Sequence, residues 1–421
     1  MPHVSRTESP TRPNGPDGHL PPSAPVDKPP IAGIRERIRH FPPSWHAVIM
    51  GTGAVSALFH AFPHGERHIL LGFSYAFTVL NVVLFTVFSI MTVARFIMFP
   101  YVWRLMLLHP VQSLYLGCIP MGFATIISQG VNFVKDYRLG GNAFIYALWT
   151  AWIVDTAASI LVCFGMVHIM FTRHTHSIDK MTAAWLLPVV TPIVASTSGQ
   201  LVASILPHRN AALVTSTLSL VMLLGGLSLT MLIFATYLPR LVVHGLPSSG
   251  LIISVFLPLG PCGQGGFSFL QAAETLPPLL PGLGSDFISD EVGIAALRVV
   301  FLAAAFSLWT LGLVWLVFAC AAVLEVASRQ RLRFALPFWG LIFPNGVWTL
   351  LTLQLGVAFG GARFFVNLGA AWAALTLTAW AVLAVPTVSF AFEGSIFHAP
   401  CLDDDSITIT PPQEDDMTQV A

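Results

Sequence analysis

Of 421 residues, 55% are hydrophobic and only 10% are charged, and the formal net charge is zero. Soluble domains carry about 25% charged residues, so water alone cannot solvate this surface and most of it must face lipid. The balanced charge excludes a basic nucleic-acid-binding surface, and five scattered cysteines (Cys118, Cys163, Cys262, Cys320, Cys401) without a CxxC pair read as small core hydrophobes, not as a disulfide framework or a zinc site.

Residues 1–40 predict a cytosolic, mostly disordered region. Its first 32 residues are rich in Pro, Gly, Ser and charge, and no signal-peptide apolar core is visible. A spanning helix needs about 20 apolar residues. Ten stretches between 41 and 392 qualify: near 44–61, 70–99, 109–128, 142–171, 182–206, 211–238, 250–273, 293–326, 334–357 and 364–390. All are expected to be helices, because an open sheet edge cannot be satisfied in lipid. Residues 393–421 form a solvated tail with two acidic clusters, Asp403-Asp404-Asp405 and Glu414-Asp415-Asp416.

Prolines divide the ten stretches into two kinds. The first starts at Pro42-Pro43 and carries Gly51-Thr52-Gly53. The third holds Pro120, the fifth Pro188 and Pro192, the seventh Pro258 and Pro261, the ninth Pro337 and Pro344. The even stretches lack proline until Pro386 near the end of the tenth. Proline removes a helical hydrogen bond and kinks the chain, and the freed carbonyl needs protein or water beside it. The pattern predicts an all-α integral membrane protein of ten transmembrane helices in five hairpins. An inner ring of kinked odd helices forms a pore, and an outer ring of even helices faces lipid.

With the N-terminus in the cytosol, fourteen Lys and Arg fall on the inner side and five on the outer, namely Arg67, Lys135, Arg138, Arg209 and Arg363. That asymmetry predicts both termini in the cytosol.

Small and hydroxylated residues on the odd helices are candidates for lining a wet path or for close packing, which uses the same residue types. Thr52 and Ser56 pair at i, i+4 on the first, and Ser113, Gly117, Pro120 and Ala124 share a face of the third. The fifth carries Thr191, Ser196 and Ser198, the seventh "GPCGQGG" with Gln264, and the ninth Asn345, Thr349 and Thr352 on one face. Carboxylates are absent from these stretches apart from Glu274 at the edge of the seventh. Cation sites and proton relays use intramembrane acids, so the walls suit an anion or a neutral solute. Asp155 and Arg298 lie in even stretches, where each needs a polar partner, an interface or a route to the membrane surface. His174 and His176 read as solvated loop residues, so no metal and no cofactor are expected. No P-loop, dinucleotide fingerprint or HExxH motif occurs, so the chain is read as not an enzyme and not directly ATP-driven.

Five stretches, one per odd helix, carry a family resemblance: "MGTGAVSALFHAFP" (50–63), "GCIPMGFATIIS" (117–128), "VVTPIVASTSGQ" (189–200), "LGPCGQGGF" (259–267) and "FWGLIFPNG" (338–346). With the ten-helix pattern they resemble the tellurite-resistance/dicarboxylate transporter (TDT) family, over residues 41–392, and look most like its fungal sulfite efflux members. Cys262 and Asn345 depart from methionine-like positions, and Asn345 would place a polar group beside the gate. The resemblance implies a homotrimer with a pore in each subunit. It also implies that Phe343, at Pro344, plugs the path, as a hydrophobic constriction can.

The function so implied is sulfite efflux across the plasma membrane, driven by the anion gradient and the membrane potential. The expected pathway residues are Thr52, Ser56, Pro120, Pro192, Ser196, Pro261, Gln264, Asn345 and Thr349. A malate or other dicarboxylate transporter, or a nitrate or chloride channel, would share the fold. A dicarboxylate carrier should offer a fixed cation in its path, and none is visible in the odd stretches. A membrane-embedded enzyme would need a clustered constellation that the sequence lacks, and a phosphorylation-regulated channel has no assignable site.

Overall fold

The computed structural model describes residues 30–138, 140–281 and 290–402. The stretch 1–29 and the acidic clusters beyond residue 402 lie outside the described residues. The described chain is all helical: α1 (Ile34–Arg39), α2 (His46–Ala61), α3 (Arg67–Met98), α4 (Pro100–Leu108), α5 (Cys118–Tyr137), α6 (Gly141–Thr172), α7 (Leu186–Ala203), α8 (Arg209–His244), α9 (Leu259–Thr275), α10 (Glu291–Arg329), α11 (Ile342–Ala358) and α12 (Arg363–Glu393), with short 3-10 turns between them. α1 falls inside the region read as mostly disordered. The Arg37 guanidinium ties it to the end of α12 by donating to the carbonyls of Ala391 and Phe392 at 3.3 and 3.0 Å.

Among the described residues nine helical segments, α3 and those through α5 to α12, are long and apolar enough to cross a bilayer. The first of the ten expected spans is the exception. α2 has 16 residues, about 24 Å of helix against a hydrocarbon core of about 30 Å. The 3-10 turn Pro43–Trp45 leads into it, and 12 of its 16 residues are buried.

Burial alternates along the chain. The most apolar stretch is 100% buried in α7, 89% in α9, 72% in α11 and 67% in α5, but only 6–39% in α3, α6, α8, α10 and α12. Each long exposed helix packs on the shorter buried helix before it: α3 on α2, α6 on α5, α8 on α7, α10 on α9 and α12 on α11. The buried helices also touch one another in a cycle, α2 on α5, α5 on α7, α7 on α9, α9 on α11 and α11 back on α2. Exposed aliphatic side chains such as Val214, Val242, Leu324 and Val385 stud the outer helices. Such a surface suits acyl chains, not water. The molecule is a multi-pass membrane protein.

The prolines act differently from the expected kinks. Pro120, Pro188, Pro261 and Pro344 are each the third residue of their α-helix. Each helix follows a 3-10 turn: Gln112–Gly117, Ala183–Trp185, Ile252–Phe256 and Leu336–Leu341. Proline costs little in the first turn, where the N–H has no intrahelical acceptor. In the five buried helices only Pro192 lies inside. The even helices are not proline-free either, because α8 runs to His244 and encloses Pro239, and α12 encloses Pro386. Proline thus marks where a 3-10 entry tightens into an α-helix.

Close approach of the buried helices rests on glycine. A Cβ at Gly263 of α9 would run into the backbone of Trp348 on α11, and one at Gly117 would lie 2.6 Å from the Leu187 carbonyl oxygen.

Candidate functional site: two cavities that meet at Phe343

Two cavities lie among the buried helices. The smaller, about 40 Å³, sits at their N-terminal ends, among Met50, Tyr115, Met121, Leu187, Leu257 and Gly340. It is almost wholly apolar. The larger, about 450 Å³, opens at their C-terminal ends, bounded by His60 of α2, Lys135 of α5, Leu201 of α7, Glu274 of α9 and Gln354 of α11. Among the described residues Phe343 is the one that lines both. The residue is 4% exposed. It is the second residue of α11, just before Pro344, which also borders the small cavity. The 3-10 entry Leu336–Leu341 delivers the ring to the junction.

The large cavity is rich in amides and hydroxyls. Gln264 reaches it, as expected from the glycine-rich stretch, and so do Gln129, Gln271, Thr125 and Thr197. Gln129 and Gln271 are 2% and 7% exposed, so they are core residues aimed at the cavity. Asn132 donates to Gln129 at 3.3 Å, and Thr197 donates to the Gln264 carbonyl at 3.3 Å.

The other expected pathway residues line neither cavity, and several of them are spent in bonds between helices. Thr52 accepts from the Trp380 indole N–H at 3.1 Å and donates to the Val48 carbonyl at 2.8 Å. It borders a separate groove between α2, α3 and α12. Ser56 bonds to the Ser74 carbonyl and the Thr78 hydroxyl, both at 2.8 Å, on α3. Ser196 meets Ser268 of α9 at 2.7 Å. Asn345 donates to the Leu341 carbonyl at 2.7 Å and accepts from Trp372 of α12 at 3.0 Å, so its amide points away from both cavities. Thr349 donates to the Asn345 carbonyl at 2.7 Å. Pro192 packs beside Gly226 of α8. Pro120 and Pro261 are buried and line neither cavity.

Tryptophan accounts for Thr52 and for three further threonines. Trp149 donates to Thr215, Trp309 to Thr352 and Trp339 to Thr387, each at 2.9 Å. With Trp380 and Thr52, these are four indole-to-threonine bonds between helices. A buried indole N–H needs an acceptor, and in lipid such bonds join helices that apolar contact alone would not.

Residues near the large cavity's mouth escaped the sequence reading. α5 runs to Tyr137, nine residues beyond the expected end at 128, so Lys135 and Asp136 belong to a buried helix and not to a loop. Lys135, Arg67 of α3 and Glu274 line the cavity. A fixed cation is therefore present, contrary to the expectation. Glu274 accepts from Gln354 at 3.0 Å. Asp136 accepts from the Tyr75 hydroxyl at 2.6 Å and pairs with the His60 ring at 2.8 Å. The charge asymmetry that set the orientation had already gathered Arg67 and Lys135 to one side, and that was the available signal.

Elsewhere, Asp155 of α6 is buried with neither oxygen hydrogen-bonded, and Arg298 is exposed near the start of α10. His174 bonds to the Leu107 carbonyl at 2.8 Å and His176 packs edge-on against Trp185. Among the described residues no group of three His, Cys, Asp or Glu could hold a metal. Of the five cysteines, all but Cys320 are buried.

Residues 40–388 match the profile of the SLAC1 voltage-dependent anion channel family. The chain is 36% identical over 355 residues to the sulfite efflux pump SSU1 of Arthroderma benhamiae, covering 83% of this chain and 91% of that protein. It is 25% identical over 370 residues to an uncharacterized transporter of Methanocaldococcus jannaschii, covering 86% and 98%. It is 23% identical over 342 residues to the malic acid transport protein of Schizosaccharomyces pombe, covering 80% and 75%. The match spans every buried helix and both cavities, and the chain belongs to the SLAC1 voltage-dependent anion channel (TDT) family of anion transporters, closely related to fungal sulfite efflux pumps.

Proposed function

We propose that the protein exports sulfite across the plasma membrane, through a conduit among α2, α5, α7, α9 and α11 that Phe343 gates. These five helices form an inner ring, and their hairpin partners α3, α6, α8, α10 and α12 shield it from lipid. That makes ten spans with both termini in the cytosol, and three subunits with one conduit each. Residues 1–40 and 393–421 are the cytosolic regions on either side of the transport domain.

The single observation carrying this reading is that the two cavities share Phe343. A conduit interrupted by one ring has this shape. The five buried helices also point their N-termini at the small cavity, where the helix dipole favours negative charge. The amides of Gln129, Gln264 and Gln271 offer N–H donors on the far side. With the cytosol negative, one negative charge moving out gains about 2.3 kcal/mol per 100 mV, so efflux needs no ATP. Sulfite as cargo rests on the named activity of the relatives at 36% identity.

A second reading, a dicarboxylate carrier, gains from Lys135 and Arg67. They supply the fixed cations that such a carrier should offer. Anion flux in proteoliposomes under a set voltage separates the two. Sulfite efflux exceeding that of malate, nitrate and chloride is the expected result. Malate flux above sulfite flux favours the dicarboxylate reading, and no flux of any anion removes both.

A further inference from the structure

Lys135 stands in the last turn of α5. Among the described residues its ammonium makes no hydrogen bond and no ion pair, although Glu274 and Asp136 are the carboxylates that act on it. Glu274 also accepts from the Gln354 amide, and Asp136 accepts from Tyr75 and pairs with the His60 ring. Arg67 uses one nitrogen to hold the His60 carbonyl, and a guanidinium has five N–H donors. Arg67 and Lys135 both act on the His60 ring and both line the large cavity. A lysine that merely snorkels to the membrane surface would not face a cavity of about 450 Å³ together with a second cation.

The local field gives these cations work to do. The C-terminal ends of α2, α5, α7, α9 and α11 surround this mouth, and helix C-termini carry partial negative charge. An anion arriving here would be repelled without them. Among the described residues Glu274 is the one carboxylate lining the cavity against two cations, and Asp136 acts on both cations from beside it.

We infer that Lys135 and Arg67 form a binding site for a doubly charged oxyanion at the mouth of the large cavity. The site deepens the anion-conduit reading and rests on it for its bearing on transport. Two cations, one with a planar fork that matches an oxyanion edge, select two negative charges over one. An occupant on this side blocks an anion leaving from the other, so flux is subject to inhibition from the far side of the membrane.

Sulfate is the probe. Calorimetric titration of the full chain in lipid nanodiscs, at fixed ionic strength, is expected to show one sulfate per chain. Lys135→Gln and Arg67→Gln should each raise the Kd about tenfold, and Val214→Ala on the lipid face of α8 should leave it unchanged. In planar bilayers, sulfate added to one side only should reduce chloride current, and Lys135→Gln should relieve the block. Equal Kd values in wild type and both cavity variants overturn the site, as does the absence of sulfate binding in wild type. Wild-type chloride current without sulfate reads the conduit separately, so a protein that binds sulfate but passes no current sinks the conduit and keeps the site.

Discussion

The indole N–H of Trp380 on α12 donates to the hydroxyl of Thr52 on α2 at 3.1 Å. Thr52 is therefore a fastening between an exposed helix and a buried one, and Asn345 plays the same part for Trp372. Thr52→Val keeps the shape and removes the acceptor. An unsatisfied buried N–H costs about 1–3 kcal/mol. The variant should lose that much stability, read as a lower thermal midpoint in detergent, while its ratio of sulfite to chloride flux stays at the wild-type value. A changed ratio at unchanged stability would return Thr52 to the pathway.

Phe343→Ala deletes the ring common to both cavities. Anion conductance in planar bilayers should rise about tenfold, since a dry constriction becomes a wet one. Unchanged or lower conductance from protein of normal thermal midpoint would remove Phe343 as the gate.

Gln264 separates lining from packing. It is 7% exposed, with its side chain at the large cavity, whereas Val314 lies 44% exposed on the outer face of α10. Gln264→Ala should shift the preference among sulfite, nitrate and chloride several-fold, by the loss of a charge-assisted donor. Val314→Ala should leave it unchanged. Equal and small effects would demote the glycine-rich stretch around Gln264 to a packing role.

Much of the architecture was legible because lipid leaves a chain few choices. Apolar length gave the spans to within a few residues for most helices, and the odd and even division by proline matched the division by burial. The mechanical meaning of proline was not legible. A proline reads the same in sequence whether it breaks a helix or sits in its first turn, and Pro120, Pro188, Pro261 and Pro344 do the latter. Periodicity was also right that Asn345 and Thr349 share a face. It could not say that this face meets Trp372 and not a cavity, because spacing fixes which side chains lie together and not what lies opposite. Hydropathy hid the mouth of the large cavity. A drop in apolarity after residue 128 looked like the end of a span, yet α5 continues for two and a half more turns, carrying Lys135 to the large cavity.

The indole-to-threonine bonds bear on how fast this protein can switch. Helices fastened pairwise through Thr52, Thr215, Thr352 and Thr387 resist sliding, and Gly263 locks α9 against the α11 backbone. Under the proposed gating, the displacement asked of the chain is a turn of the one benzyl group that borders both chambers. Exposed side chains reorient in picoseconds to nanoseconds and buried ones more slowly, whereas rocking of helix bundles takes microseconds to milliseconds. On the proposal that Phe343 gates the conduit, a switch of this size is what a flickering conductor of anions needs, whereas a carrier would tilt half its frame for every ion it releases.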